Sequence, residues 1–295
     1  MRTLTRTIYA AIRRNSVLRD LVLRYPRAFQ LARHRARNRF DRSHFYGLPL
    51  SLLVVAIVFV LAMFAGLVED VVTADPIVAF DHATAQRVAA LRTPTLIRPF
   101  LWIAGLGDTI VVVPAVIAAA LILWLCRRRW LIPGLLVSTL GASAFSSLGK
   151  LTVHRPRPIA AVVLESSYSF PSGHASIAVA LYGFLGYLLI RSTDSRPKQL
   201  TLFFATSLLI VLIGLSRIVL GVHYLSDVWA GYLVGSLWLL VAISLSEWLA
   251  EIGRLDWHQA SDSRPGWATI GVGGALVAWY LVHVIYGIQT APIPQ

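Results

Sequence analysis

Residues Ser166 to Ala180 read SSYSFPSGHASIAVA, with a proline, a serine, a glycine and an ionisable ring at the mouth of an apolar run. The surrounding chain makes that run a membrane helix. Of 295 residues, 57% are apolar and only 14% are charged, and several apolar runs exceed about eighteen residues, the length that spans a bilayer as a helix. The fold class is therefore all-α: one polytopic membrane helix bundle, with little length left for a separate soluble domain. The lone Cys126, in LCRRRW, excludes an internal disulfide and reads as an apolar filler at a helix end.

Outward from that stretch, the first span is predicted at about Leu48–Val68. The acidic, proline-broken segment Glu69–Asp108 is too polar to cross and should form an extramembrane loop with short interfacial helices. Further spans are expected at about Thr109–Leu125, Leu131–Gly149, His174–Ile190, Leu200–Leu220 and His223–Leu245. A seventh is a weaker candidate at Trp267–Ile288, where Gly271, Ala275 and Ala278 form a row suited to close helix packing and His283 is a packed or interfacial ring. The chain thus divides into residues 1–47, a membrane core 48–245, and 246–295, a cytoplasmic loop with the candidate extra helix.

The net charge of +13 is concentrated in residues 1–47, which hold twelve arginines against Asp20 and Asp41. Apolar residues there, Leu4, Ile8, Ile12 and then Phe29, Ala32, Ala36, Phe40, recur at helical spacing. The reading is a basic amphipathic segment on an anionic cytoplasmic leaflet. A targeting peptide would share the arginine richness, but no cleavage site follows; a plain solvated leader is the other alternative, and nucleic-acid binding is disfavoured. The arginine-rich CRRRW and RSTDSRPK loops lie on the same side as this segment, so that side is cytoplasmic. Lys150, His174, Arg217 and His223 then share the outer face.

Three polar clusters gather on that face. In KLTVHRPRP, Lys150 and Arg157 flank a loop stiffened by Pro156 and Pro158; alone, they could equally snorkel to headgroups, and His154 and Arg155 read as ordinary interfacial residues. In SFPSGHAS, Ser172 sits where a helix begins, Gly173 admits a ligand to the backbone, and free N–H groups offer an anion site beside His174; a capping serine with an interfacial histidine is the plainer alternative. In SRIVLGVHYLSD, His223 and Asp227 are four apart and are expected on one helix face, where the carboxylate fixes the ring's tautomer and stabilises an imidazolium. A structural His–Asp pair would look the same. Charged groups in a spanning helix cost about 2.5–3.5 kcal/mol each, so Arg217 and Asp227 need a reason to be there.

Together the blocks resemble the signature of the type 2 phosphatidic acid phosphatase superfamily: lysine, six residues, arginine-proline; proline-serine-glycine-histidine; serine-arginine, five residues, histidine, three residues, aspartate. Lys150, Arg157 and Pro158, then Pro171–His174, then Ser216, Arg217, His223 and Asp227 fill every position. The resemblance covers Lys150–Asp227 closely and, through the helix layout, about Leu48–Leu245. It implies six core helices and a lipid phosphate phosphatase of a bacterial inner membrane, with its site outside. By the same resemblance His223 would attack phosphorus, Asp227 would orient it, and Lys150, Arg157, Arg217, Ser172 and the Gly173 N–H would hold the phosphoryl oxygens. His174 would protonate the leaving group and then activate water. No metal or other cofactor is expected, because three fixed cations supply the charge and would repel a metal ion. The expected partners are the bilayer and a lipid phosphate: undecaprenyl diphosphate is favoured, with phosphatidylglycerol phosphate and phosphatidic acid as alternatives. A phosphotransferase could use the same residues, and a transporter or lipid-binding scaffold is the competing non-enzymatic class. The haloperoxidase chemistry of relatives is disfavoured by the membrane chain.

Overall fold

The computed structural model describes residue 24 and residues 44–163, 165–257, 271–276 and 279–280. The amphipathic reading of residues 1–47 therefore falls almost wholly outside the described residues. Of the seventh candidate span, residues 271–276 and 279–280 are helical and the rest lies outside them. Two compact units divide the chain at Leu52–Leu53. In the first, a turn in which Gly47 N donates to His44 O at 3.1 Å opens into the leading residues of a helix.

That helix, α1, runs Leu48–Val72. It is followed by α2 (Pro76–Ala90), α3 (Pro94–Gly105), α4 (Thr109–Leu125), α5 (Ile132–Val153), α6 (Gly173–Arg191), α7 (Arg196–Val219) and α8 (Leu225–Glu251). Among the described residues there is no strand, and six helical stretches are long and apolar enough to cross a membrane. Five of them are α1, α5, α6, α7 and α8, α5 being counted from Arg129; the remaining one is the Pro94–Leu125 stretch that contains α3 and α4. The count agrees with the sequence, but this stretch starts earlier than the expected Thr109, because PTLIRPFLWIAG is apolar enough to extend it. Prolines at the first turns of α2, α3, α5 and α7 set helix starts where their missing N–H costs nothing.

The core is the seam of α5, α6 and α8, filled by Leu131, Leu135, Ala142, Leu181, Phe184 and Ala242. Glycines let these helices approach: a Cβ on Gly231 would lie 2.5 Å from Ser172 O, and one on Gly235 2.4 Å from Ser176 O. Few polar groups enter the seam, and they pair. Ser146 Oγ donates to Ser176 Oγ at 2.8 Å. Ser138 Oγ donates to Ala180 O at 2.8 Å, inside a π-turn at Ala178–Gly183 where the helical ladder is loosened. Val55, Phe59, Phe203, Phe204 and Leu208 face outward, as a lipid-facing belt should. Arg128 Nη1 bonds Ser192 Oγ at 3.0 Å, so the arginine-rich loops share one end of the bundle. The three polar clusters occupy the other.

Candidate active site

Chain reversals bring the clusters together. Lys150 lies in the last turn of α5, which ends at His154 in the left-handed conformation (φ 52°). The chain then doubles back through Arg155–Pro158, and Lys150 Nζ donates to Ser167 Oγ at 3.1 Å and Tyr168 O at 2.8 Å. Arg157 meets the same strip, donating to Ser167 O at 2.6 Å, and also reaches Val222 O at 2.7 Å. Ser172 caps α6, accepting from Ala175 N at 3.5 Å, and its own N donates to Asp227 O at 2.9 Å, which ties the start of α6 to the start of α8. A Cβ on Gly173 would meet nothing within 4 Å, so packing does not explain that glycine.

Arg217 ends α7, and a turn at Gly221 (φ 71°) carries the chain back to His223. Here the structure corrects the sequence reading: His223 is not on a helix face with Asp227. It precedes α8, whose cap is Tyr224, and Asp227 is the third helical residue, accepting from Tyr224 N at 2.8 Å in a capping box. Imidazole and carboxylate still meet, with His223 Nδ1 3.5 Å from Asp227 Oδ2, which is ionic range and longer than a good hydrogen bond. Nδ1 has no hydrogen-bond partner among the described residues.

Nε2 of His223 lies 3.3 Å from Arg157 Nη1. A guanidinium only donates, so Nε2 presents its lone pair and the ring proton is on Nδ1, toward Asp227. Burial pushes the His223 ring down to about 4, and Arg217 and Arg157 push the same way against Asp227. The ring is neutral at pH 7. His174 has the opposite arrangement: its Nε2 lies 2.8 Å from Asp108 Oδ1, an acceptor, so this nitrogen carries a proton.

Sequence reasoning missed four partners. Glu165 bridges the cations, one oxygen 2.6 Å from Arg157 Nη2 and the other on Arg217 Nη2. Burial raises this carboxyl, but Arg217, Arg157, His174 and His223 outweigh it and hold it below the usual carboxylate range. Asp108 holds His174. Asp81 and Arg155, the latter read as interfacial, are both buried and form an ion pair at 2.8 Å. Arg155 stood inside the KLTVHRPRP block and Asp81 was the one acid in the α2 sequence, which were the available signals. His154 is exposed as expected of an interfacial ring, and stacks edge-on to Tyr168. Among the described residues no cluster of three histidine, cysteine or acidic groups could hold a metal ion.

The arrangement is a cluster of three cations, Lys150 and Arg157 half-buried and Arg217 buried, between two imidazoles whose ring protons sit on opposite nitrogens. Over 194 residues the chain is 28% identical to phosphatidylglycerophosphatase B of Bacillus subtilis, covering 64% of this chain and 90% of that one. Over 115 residues it is 36% identical to the decaprenylphosphoryl-5-phosphoribose phosphatase of Mycobacterium tuberculosis, covering 37% of this chain and 57% of that one. The crystal structure of a transmembrane PAP2 type phosphatidylglycerolphosphate phosphatase from Bacillus subtilis superposes with a TM-score of 0.61 at 27% identity, over 68% of this chain and 98% of that one. The model of the PAP2 superfamily matches residues 131–251, a span that contains Lys150, His174, Arg217, His223 and every other residue of the cradle blocks, and together with these relatives it supports the PAP2 superfamily for this chain.

Proposed function

We propose that this membrane-embedded phosphatase hydrolyses a lipid phosphate or diphosphate without a metal ion, through a phosphohistidine on His223. The observation that carries the reading is the Nε2 lone pair of His223 facing Arg157 at 3.3 Å, inside the cation cluster. A neutral, desolvated imidazole beside fixed guanidiniums is a nucleophile waiting for an anion. Phosphoryl oxygens would take Arg157 and Arg217 over from the Glu165 carboxylate, which already bridges them, with Lys150 as the third cation. Ser172 and the Gly173 N–H at the start of α6 add hydrogen bonds to charge that grows in the transition state.

In the first step Nε2 forms a bond to phosphorus as the bond to the leaving oxygen breaks, and His174 gives that oxygen its proton. Asp227 balances the positive charge on the phosphorylated ring. Water then attacks phosphorus, His174 takes its proton, and the P–Nε2 bond breaks to release inorganic phosphate.

The two relatives are named for a glycerolipid phosphate and a polyprenyl-linked phosphate, which supports a lipid phosphate as the substrate class. A site at helix ends lets the lipid tail stay in the bilayer while the phosphate reaches the cradle. Undecaprenyl diphosphate is favoured, because an outward-facing site of a bacterial inner membrane meets that carrier after glycan transfer. The outward orientation, with a cytoplasmic N-terminus, follows from the arginine-rich loops at the opposite end. Cysteine placed at the fully exposed Ile159 should react with an impermeant reagent in intact cells while Cys126 does not; the reverse pattern sinks the orientation. Function is tested by measuring phosphate release from undecaprenyl diphosphate, phosphatidylglycerol phosphate, phosphatidic acid and a water-soluble phosphomonoester in mixed micelles containing EDTA. Equal efficiency on the soluble ester would defeat the lipid claim, activity lost to EDTA and restored by magnesium or zinc would defeat the metal-free claim, and preference for a glycerolipid would defeat only the prenyl choice.

A further inference from the structure

Beneath the cradle lies a second charged layer, of which the proposed chemistry uses only Asp227. Arg155 is 7% exposed, Asp81 1%, Ser226 2% and Asp227 0%. Arg155 Nη1 donates to Asp227 Oδ1 and to Ser226 Oγ, each at 2.7 Å, and Nη2 donates to Asp81 Oδ2 at 2.8 Å. Ser226 N donates to Asp81 Oδ1 at 3.1 Å, and Ser226 Oγ also bonds Asp81. The guanidinium lies over the Tyr224 ring, 4.4 Å from its centroid. Asp81 comes from α2, outside the catalytic blocks, so this layer joins that helix to the residue that faces His223.

Burying two carboxylates and a guanidinium to dock α2 is expensive when apolar contacts could do it, and breaking such a group strands a charge. The layer also divides Asp227. Its Oδ1 is taken by Arg155 and its Oδ2 accepts from Tyr224 N, while His223 Nδ1 stands off at 3.5 Å. We propose that Arg155 and Asp81 are positioning residues that set how much negative charge Asp227 presents to His223: Arg155 draws on Asp227, and Asp81 draws on Arg155. Left whole, Asp227 would raise the ring's affinity for a second proton. Shared with Arg155, it orients the ring and still leaves it neutral.

Other charges around His223 act with this pair. Arg157 and Glu165 come from the segment between α5 and α6, Lys150 from α5, His174 from α6, Arg217 from α7, Tyr224 from the start of α8 and His82, stacked edge-on to Tyr224, from α2. None of these is altered in the test.

For its consequence to turnover the inference rests on His223 as nucleophile, so the test reads the ring itself. Full-length protein labelled with 15N-histidine is titrated in detergent micelles, and the His223 signal is assigned by its loss in His223→Gln. Arg155→Gln should raise the ring's midpoint by about one pH unit, the usual size for a neighbouring charge. Asp81→Asn should leave it at or below the wild-type value, because Arg155 then draws on Asp227 alone. Arg155→Gln should also lower kcat at least about tenfold with KM unchanged, since Asp227 Oδ1 loses the bond that fixes the carboxylate beside His223 while the phosphate cradle is intact, and Arg155→Lys should recover much of it. Loosened packing would instead raise the midpoint in both variants toward that of free histidine; that result, or an unmoved midpoint in Arg155→Gln, overturns the proposal. If Arg155→Gln does not fold, Arg155→Lys decides: a wild-type midpoint supports the role of the cation and a large rise refutes it. A midpoint that shifts as expected in a protein whose phosphoenzyme lies elsewhere would separate this inference from the nucleophile assignment.

Discussion

Replacing Gly231 by alanine tests whether the α6–α8 seam sets the catalytic geometry. The new Cβ would lie 2.5 Å from Ser172 O and 2.8 Å from Ala175 Cβ, in contact with backbone and with a side chain that cannot rotate away. Close C···O contacts settle at about 3.3–3.6 Å, so the two helices must part by roughly 0.8–1 Å. The same seam carries the Ser172 N to Asp227 O bond of 2.9 Å, with His174 two residues beyond Ser172 and Asp227 one turn before Gly231. Separation there therefore moves His174 relative to His223 and Asp227. Overpacking of this kind costs about 1–3 kcal/mol of stability. A misplacement of about 1 Å costs on the order of 100-fold in rate, so kcat should fall more than stability alone would explain. Thermal unfolding and kcat are measured in the same detergent, with Gly66→Ala as control, because a Cβ at Gly66 meets nothing within 4 Å. Wild-type kcat in Gly231→Ala would refute the claim that this seam positions the site.

Gly173→Ala should leave the unfolding temperature unchanged, since no atom lies within 4 Å of the added methyl, yet lower kcat/KM at least about tenfold by crowding the N–H donors at the start of α6. Wild-type activity in that protein would remove Gly173 from the site. Glu165→Gln takes away the internal anion shared by Arg157 and Arg217, so vanadate, an anion of phosphate shape, should inhibit about tenfold more tightly, from the ordinary worth of charge-assisted hydrogen bonds. Weaker inhibition would show that Glu165 supports the anion instead of competing with it.

The spans and the three blocks were legible because each rests on local signals: long apolar runs, prolines at helix starts, and motif residues at fixed spacing. Their convergence at one end followed from counting crossings. The partners of those residues were not legible, because carboxylates such as Asp81 and Asp108 sit in a segment whose polarity marks it only as extramembrane. Which buried group each carboxylate meets depends on how α2 and the α3–α4 junction dock, and no periodicity encodes that. The four-residue spacing of His223 and Asp227 misled for a local reason. Helical neighbours at that spacing share a face only when both are helical, whereas Tyr224 has extended backbone (φ −77°, ψ 164°) and begins α8 after the histidine. The aspartate at the third helical position and the glycine two residues before His223 were the signs of a capped start. Arg155 was misassigned because one arginine of RPR was enough to complete the recognised block, leaving the other without an evident task.

The central claim is that His223 Nε2 becomes covalently bonded to phosphorus during turnover. Its most direct measurement is rapid acid-free quenching of the purified enzyme with a 32P-labelled lipid phosphate, followed by alkaline-stable peptide mapping of the labelled chain. The expected result is an acid-labile phosphoramidate on the peptide that carries His223, absent from His223→Gln and formed more slowly in His174→Ala, which lacks both the proton donor for the leaving oxygen and the base for water. Label of the same stability in His223→Gln, or turnover at the wild-type rate without it, would contradict the account.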